Sequence, residues 1–190
     1  MIDPNWRPPL LETERLRLRP FEPADAPALF EHARNPNVTR FTLWDAHRTV
    51  DDTRQFVGDY ARGRYLEGVP EPYGIELKNA GELIGAAGCF WASQKDRCME
   101  LGYWVAEPFW GRGLAAEAAR ALVAHVFAAY PVERVQAHHM DGNAASERVL
   151  EKVGLRFEGV RRRGLFHRGR FWDLHFYAAL RGEWDEPRTK

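Results

Sequence analysis

The stretch Trp110-Gly111-Arg112-Gly113-Leu114-Ala115 stands between an apolar, strand-like run from Met99 to Val105 and an alanine-rich helical run from Ala115 to Ala129. Glycine at 111 and 113 permits turn dihedrals and a close backbone approach that a side chain would block. Strand, glycine-rich turn and helix in that order aim free backbone N–H groups and a positive helix end at one point, and the chemistry expected there is anion binding. The plainer reading is a strand-to-helix connection that needs glycine only for its shape. Neither common nucleotide motif fits, since Gly111-Arg112-Gly113 lacks both the Gly-Lys-Ser/Thr ending of a triphosphate loop and the third glycine of a dinucleotide fingerprint. A phosphate bound here belongs to another carrier.

About thirty residues downstream, near the span of a βαβ unit, lies a second polar group. After a strand from Arg134 to Met140 comes Asp141-Gly142-Asn143-Ala144-Ala145-Ser146, then Val149 and Val153 on one helical face and Gly154 as a C-terminal stop. Asn143 reads as the N-cap, so a short helix starts with Asn143 and Ser146 at its head.

The elements that must carry these groups follow from periodicity. Leu16 and Leu18 alternate with Arg15, Arg17 and Arg19 as in a half-buried strand. A first helix is expected from Pro23 to Arg34, broken by Asn35-Pro36-Asn37, and a second from Thr49 to Arg64 with Asp51 and Asp52 in its first turn. Tyr73 to Lys78 and Glu82 to Trp91 read as a hairpin through Asn79-Ala80-Gly81, Cys98 to Val105 as the strand entering the glycine turn, and Arg156 to Phe166 and Trp172 to Leu180 as two final strands.

From Leu11-Glu12-Thr13-Glu14-Arg15-Leu16 to Glu183-Trp184 the chain resembles the GNAT superfamily of acetyl-CoA-dependent N-acetyltransferases, and within it the RimJ/RimL branch. The resemblance is carried by Glu100-Leu101-Gly102-Tyr103-Trp104-Val105, by Trp110-Gly111-Arg112-Gly113-Leu114-Ala115-Ala116-Glu117-Ala118, and by Asn143-x-x-Ser146-x-x-Val149-Leu150-Glu151-Lys152-x-Gly154. It implies an α/β (α+β) fold with a mixed, mostly antiparallel central sheet of about seven strands, splayed in the middle and flanked by about four helices. It also implies acetyl-CoA as cofactor, with coenzyme A as product. Backbone groups of Tyr103, Trp104 and Val105 would pair the pantetheine arm, Gly111, Arg112, Gly113, Leu114 and Ala115 would hold the pyrophosphate, and Asn143 and Ser146 would contact the pantetheine and its sulfur. The glycine turn departs from the superfamily pattern at Trp110, where glutamine or arginine is usual; aromatic residues there are common in the RimJ/RimL branch.

Acetyl transfer needs a neutral amine, a polarised thioester carbonyl and a stabilised leaving thiolate. Lysine-like amines have a pKa of about ten and N-terminal amines about eight, so a carboxylate or water chain must accept a proton. The resemblance points to Glu100 as that base and to Ser146 as the group assisting the thiolate. A solvated strand residue is the bland account of Glu100, and a helix cap with a surface serine that of Asn143 and Ser146. The acceptor implied is a protein α-amine, ribosomal in type; a small amine (polyamine, amino acid or aminoglycoside) or a non-catalytic acyl-CoA binding module are the alternatives.

With 190 residues and 45% hydrophobic content, one domain over 1–190 is expected. Basic and acidic residues balance at 27 each, which gives no reason to expect a nucleic-acid or membrane partner. No apolar stretch approaches the roughly twenty residues that span a bilayer, and the opening residues Met1 to Trp6 hold no apolar signal core, so a cytoplasmic location is expected. Cys89 and Cys98 flank adjacent strands within conceivable disulfide reach, but reduced, buried thiols are the reading. His138-His139 have no further ligand at metal spacing, so no metal is expected and a core or acceptor-cleft place is assigned. The arginines from Arg156 to Arg170 make a solvated hairpin or a face turned to acidic groups, and Phe41, Trp44 and Asp45 fall in a loop that shapes the acceptor site in this fold. A homodimer is frequent in this branch.

Overall fold

The computed structural model describes residues 5–184. Fully buried Leu16 and Leu18 alternate with half-buried Arg17 and Arg19 in β2 (Leu16–Pro20), the period of a strand with one face in the core. A two-residue strand, β1 (Leu11–Glu12), flanks it on one side, and β3 (Tyr73–Leu77), β4 (Glu82–Ser93) and β5 (Cys98–Val105) follow antiparallel on the other. Strand β6 (Arg134–Met140) joins parallel to β5, and β7 (Arg156–His167) and β8 (Arg170–Leu180) complete an eight-stranded sheet in the order β1-β2-β3-β4-β5-β6-β8-β7.

The sheet has eight strands instead of about seven because Leu11–Glu12, too short to show alternation, still pairs with Arg17 and Leu18. After a 3-10 turn at Pro23–Asp25 come α1 (Ala26–Ala33) and α2 (Pro36–Thr39), then α3 (Val50–Gln55), which continues through a π turn at Phe56–Tyr60 into α4 (Ala61–Leu66). Helices α5 (Leu114–Ala129) and α6 (Ala144–Val153) lie in the second half. The extra helix is α2. Asn35-Pro36-Asn37 starts a turn as well as ending one, because the Asn35 side chain accepts the Asn37 N–H and the fixed φ of Pro36 suits the first helical position.

Helix α5 packs Leu122, Val123 and Val126, all fully buried, against Leu16, Ile75, Met99 and Val135 of the sheet. Each such side chain contributes about 1.5–3 kcal/mol by leaving water. Leu29, Val57, Ala61 and Tyr65 of α1, the π turn and α4 cover the opposite face with Phe21 and Ala86.

The feature that matters for function is where the sheet parts. Strands β5 and β6 pair only through Cys98–Glu100 against Arg134–Gln136; beyond that β5 follows β4 as far as Val105 while β6 follows β8 to Met140. The edge of β5 after Glu100 therefore faces an opening without a strand partner on that side.

Cys89 stands opposite Leu101 and Cys98 opposite Ser93, so the two are offset along the strands and remain free, buried thiols; burial pushes the Cys89 thiol well up. Of the opening stretch, Met1 to Pro4 lies outside the described residues, as do 185–190. Among the described residues no helix is long and apolar enough to cross a membrane, and no cluster of His, Cys, Asp and Glu suits a metal ion.

Candidate active site

The glycine turn is built from both ends. A 3-10 turn at Glu107–Phe109 leads out of β5, and the Trp110 indole donates back to the Val105 carbonyl at 2.6 Å, tying the turn to the strand end. Gly111 and Gly113 have φ of 74° and 78°. A Cβ at Gly111 would meet nothing, and one at Gly113 only the Arg15 guanidinium at 3.6 Å, so it is the left-handed backbone and not crowding that requires glycine. Gly113 is the N-cap of α5 and offers no side-chain cap, leaving the N–H groups of the first turn without a side-chain acceptor at the cleft lined by Leu114, Ala115 and Ala116. Arg112 lies over the Phe109 ring at 5.4 Å, at the same turn.

Sequence patterning did not reveal the latch beneath this turn. Glu117, in the first turn of α5, accepts from the Thr13 hydroxyl (2.5 Å), the Arg15 backbone N–H (2.9 Å) and Arg15 Nε (2.6 Å), while Arg15 Nη1 donates to the Arg112 carbonyl at 3.0 Å. Burial raises the pKa of Glu117, but the hydrogen bonds from Thr13 and Arg15 outweigh it and hold the carboxyl below its ordinary value. Arg15 thus offsets the charge of Glu117 and fixes the carbonyl side of the loop. The residues are about a hundred positions apart in sequence, and no local pattern marks the pairing.

Across the opening, Asn143 is the N-cap of α6, its Oδ1 accepting the Ser146 N–H at 3.2 Å, and its amide nitrogen has no partner among the described residues. Ser146 Oγ lies 2.9 Å from the Tyr103 hydroxyl, which also reaches the Ser146 carbonyl at 3.3 Å. The resemblance implies a role for the Tyr103 backbone; its side chain reaches from β5 to Ser146 at the head of α6. Burial raises the Tyr103 phenol, so it stays protonated and able to donate. Tyr103, Asn143 and Ser146 all line one cleft of about 1460 Å³ with Gly111 and Gly113.

Glu100 lies on the same cleft, at the last position of β5 paired with β6. Its Oε2 accepts Gln136 Nε2 at 2.9 Å and its Oε1 is 3.1 Å from His138 Nδ1. Burial would raise this carboxyl, yet the His138 and Gln136 contacts, with Arg161 beyond, bring it below its ordinary value. The neighbouring His139 is buried and stacked on His175 at 4.9 Å.

Aromatic groups wall the far end of the cleft. Trp44 meets Trp104 edge-on at 5.5 Å, and Phe56 stacks on Tyr60 across the π turn at 5.5 Å and 15°. Such a turn interrupts a regular helix and turns side chains it would otherwise direct elsewhere. The loop carrying Phe41, Trp44 and Asp45 is held by the tip of the β7–β8 hairpin. Arg168 and Gly169 both have positive φ, as a two-residue hairpin turn needs, and Arg168 donates to the carbonyls of Thr39, Arg40 and Trp44 at 2.9, 3.1 and 3.0 Å and pairs with Asp45. At least this arginine of the basic stretch is therefore a clamp and not a solvated charge. Arg168→Ala is expected to raise the acceptor KM about tenfold while leaving acetyl-CoA affinity within twofold, by freeing three carbonyls and the loop they belong to; equal losses in both would contradict this division of the cleft.

A family model described as an acetyltransferase (GNAT) domain matches residues 15–156. An uncharacterized N-acetyltransferase, YoaA of Bacillus subtilis (strain 168), is 32% identical over 173 residues, covering 91% of this chain and 97% of its own. The putative ribosomal N-acetyltransferase YdaF of the same organism is 32% identical over 178 residues, covering 90% and 94%. The crystallised RimL, a ribosomal L7/L12 alpha-N-protein acetyltransferase in complex with coenzyme A, superposes with a TM-score of 0.81 at 21% identity, over 90% of this chain and 98% of that one, a likeness of fold. On these grounds the chain belongs to the GNAT acetyltransferase family.

Proposed function

We propose that the protein transfers an acetyl group from acetyl-CoA to a primary amine, and that the amine is the N-terminal α-amine of a protein, ribosomal in type. The observation that carries the reading is the opening after Glu100, where one unpaired strand edge, an uncapped helix N-terminus behind two left-handed glycines, and a carboxylate–imidazole pair share one cleft. The residues suit a coenzyme A thioester: the α5 N–H groups and Gly111, Arg112 and Gly113 receive the pyrophosphate, the edge from Tyr103 to Val105 the pantetheine, and the amide of Asn143 its polar groups. Bound there, acetyl-CoA supplies the activated acyl group. Glu100 centres the proton-accepting group on the acceptor side, and Ser146, with Tyr103 behind it, stands where a departing thiolate needs a donor.

Support for a protein acceptor comes from the likeness to YdaF and from a cleft of about 1460 Å³, above the usual small-ligand range of about 300–1000 Å³, so that a cofactor arm and a peptide end fit together. This reading carries with it a single catalytic domain, a cytoplasmic location and a homodimer. The test is thiol release from acetyl-CoA against N-terminal peptides and, in parallel, spermidine, amino acids and aminoglycosides. Release with peptides, and a product heavier by one acetyl group at the α-amine, is expected. Release with small amines alone would replace the protein acceptor by a small one, and binding without release would make the protein an acyl-CoA binding module.

A further inference from the structure

Glu100 lines the cleft but is poorly suited to take a proton from an acceptor amine. Both of its oxygens are engaged, one by Gln136 and one by His138. Gln136 is itself oriented, since its Oε1 accepts from Arg134 Nε at 3.4 Å and from the Cys98 thiol at 3.5 Å, so that its Nε2 must face the carboxylate. A carboxylate hydrogen-bonded by Gln136, with an imidazole nitrogen 3.1 Å from its other oxygen, and held below its ordinary pKa is a weak base and a strong anchor.

What it anchors is an imidazole. His138 sits two positions past the last residue of β6 paired with β5, on the lip of the opening, and lines the cleft. Its Nδ1 is buried and makes no hydrogen bond among the described residues in this arrangement, and Glu100 Oε1 lies 3.1 Å from it. The ring leans on Phe176 at 5.3 Å and 33°, which fixes its plane, and Arg161 lies over that phenyl at 4.7 Å. The charged groups facing His138 are thus Glu100 from β5 and Arg161 from β7. Nε2 has no partner among the described residues. A histidine whose inner nitrogen faces a carboxylate and whose outer nitrogen is free carries its proton inside and its lone pair outside, the arrangement of a positioned general base.

We propose that His138, and not Glu100, takes the proton from the acceptor ammonium, with Glu100 as the residue that orients its imidazole and stabilises the imidazolium formed. This rests on the acetyl-transfer reading above and changes the role expected of Glu100 in it from base to positioning residue. In the step, an N–H bond of the ammonium breaks and its proton goes to Nε2. The freed lone pair forms the C–N bond as the thioester C–S bond breaks with its electron pair on sulfur. The second N–H proton lost as the amide forms balances the one delivered to sulfur through Ser146, and the proton on His138 returns to solvent.

The direct test is the tautomer, read from the ring 15N shifts of His138 in the wild-type protein at a pH where the ring is neutral. A proton on Nδ1 is expected; a proton on Nε2 overturns the proposal. With a short peptide bearing a free α-amine as acceptor, His138→Ala and the better-filling His138→Gln are each expected to lower kcat about a hundredfold with acetyl-CoA affinity unchanged, and added imidazole should restore part of the rate of His138→Ala in proportion to its neutral form. Glu100→Gln should cost less, about tenfold. A kcat within threefold of wild type in both His138 variants, or a larger loss in Glu100→Gln than in either, overturns the proposal. Should the wild type release no thiol with the peptide or with spermidine, the acetyl-transfer reading fails, while the tautomer still decides the His138–Glu100 pair.

Discussion

Glutamate in place of Gly113 is expected to abolish acetyl-CoA binding, with a loss of about 3 kcal/mol or more, roughly a hundredfold in Kd. Two effects add. Gly113 has φ of 78°, a region that costs other residues about 1–2 kcal/mol, and the strain falls at the N-cap that sets the aim of the first-turn N–H groups. The new carboxylate then stands where those groups and the helix dipole would otherwise receive a pyrophosphate. Gly113→Ala separates the two, since it carries the strain without the charge and has only the end of a flexible arginine within reach of its Cβ. It is expected to lose about tenfold. Calorimetric titration of both variants checks this; normal affinity in Gly113→Glu would remove the phosphate site.

Gly85→Ala is expected to have the largest effect on stability. A Cβ there would lie 2.2 Å from the Trp104 carbonyl oxygen and 3.0 Å from the Val105 Cα, both backbone atoms of the strand that edges the opening. Neither can swing aside as a side chain would, so β4 and β5 must separate where Gly85 pairs with Val105. Overpacking of this kind costs about 3 kcal/mol, a fall in Tm of about 6–12 °C for a chain of this size. The shift also moves Val105, whose carbonyl anchors Trp110, so acetyl-CoA affinity should fall with Tm. Gly63→Ala in α4 is the control: its Cβ would meet nothing, its backbone is helical, and a gain of about 0.5–1 kcal/mol is expected. A thermal melt in which Gly85→Ala matches wild type would contradict the close approach of the strands.

The parts legible in the sequence are those whose signals are local. Alternation at Leu16 and Leu18, the cap at Asn143, the stop at Gly154 and the Asn79-Ala80-Gly81 turn each depend on neighbours a few residues away, and each appears where expected. Gly111 and Gly113 were legible because left-handed backbone has a residue preference. The missing parts are pairings across the sheet. Arg15 with Glu117, Tyr103 with Ser146, Arg168 with the 39–45 loop and His138 with Glu100 join residues far apart in the chain, and no periodicity encodes them. With no further ligand at metal spacing, the sequence offers His138 only a core or acceptor-cleft place. Only the parting of β5 and β6 puts it beside a carboxylate.

Titration of the wild-type protein with acetyl-CoA in a calorimeter tests the reading of the opening most directly. A saturable one-to-one isotherm, competed by coenzyme A and lost in Gly113→Glu, is the expected result. An absence of binding heat and of any shift in Tm at saturating acetyl-CoA would mean that the glycine turn and the unpaired edge of β5 do not form a thioester site, and the catalytic roles of Ser146, Glu100 and His138 would fall with it.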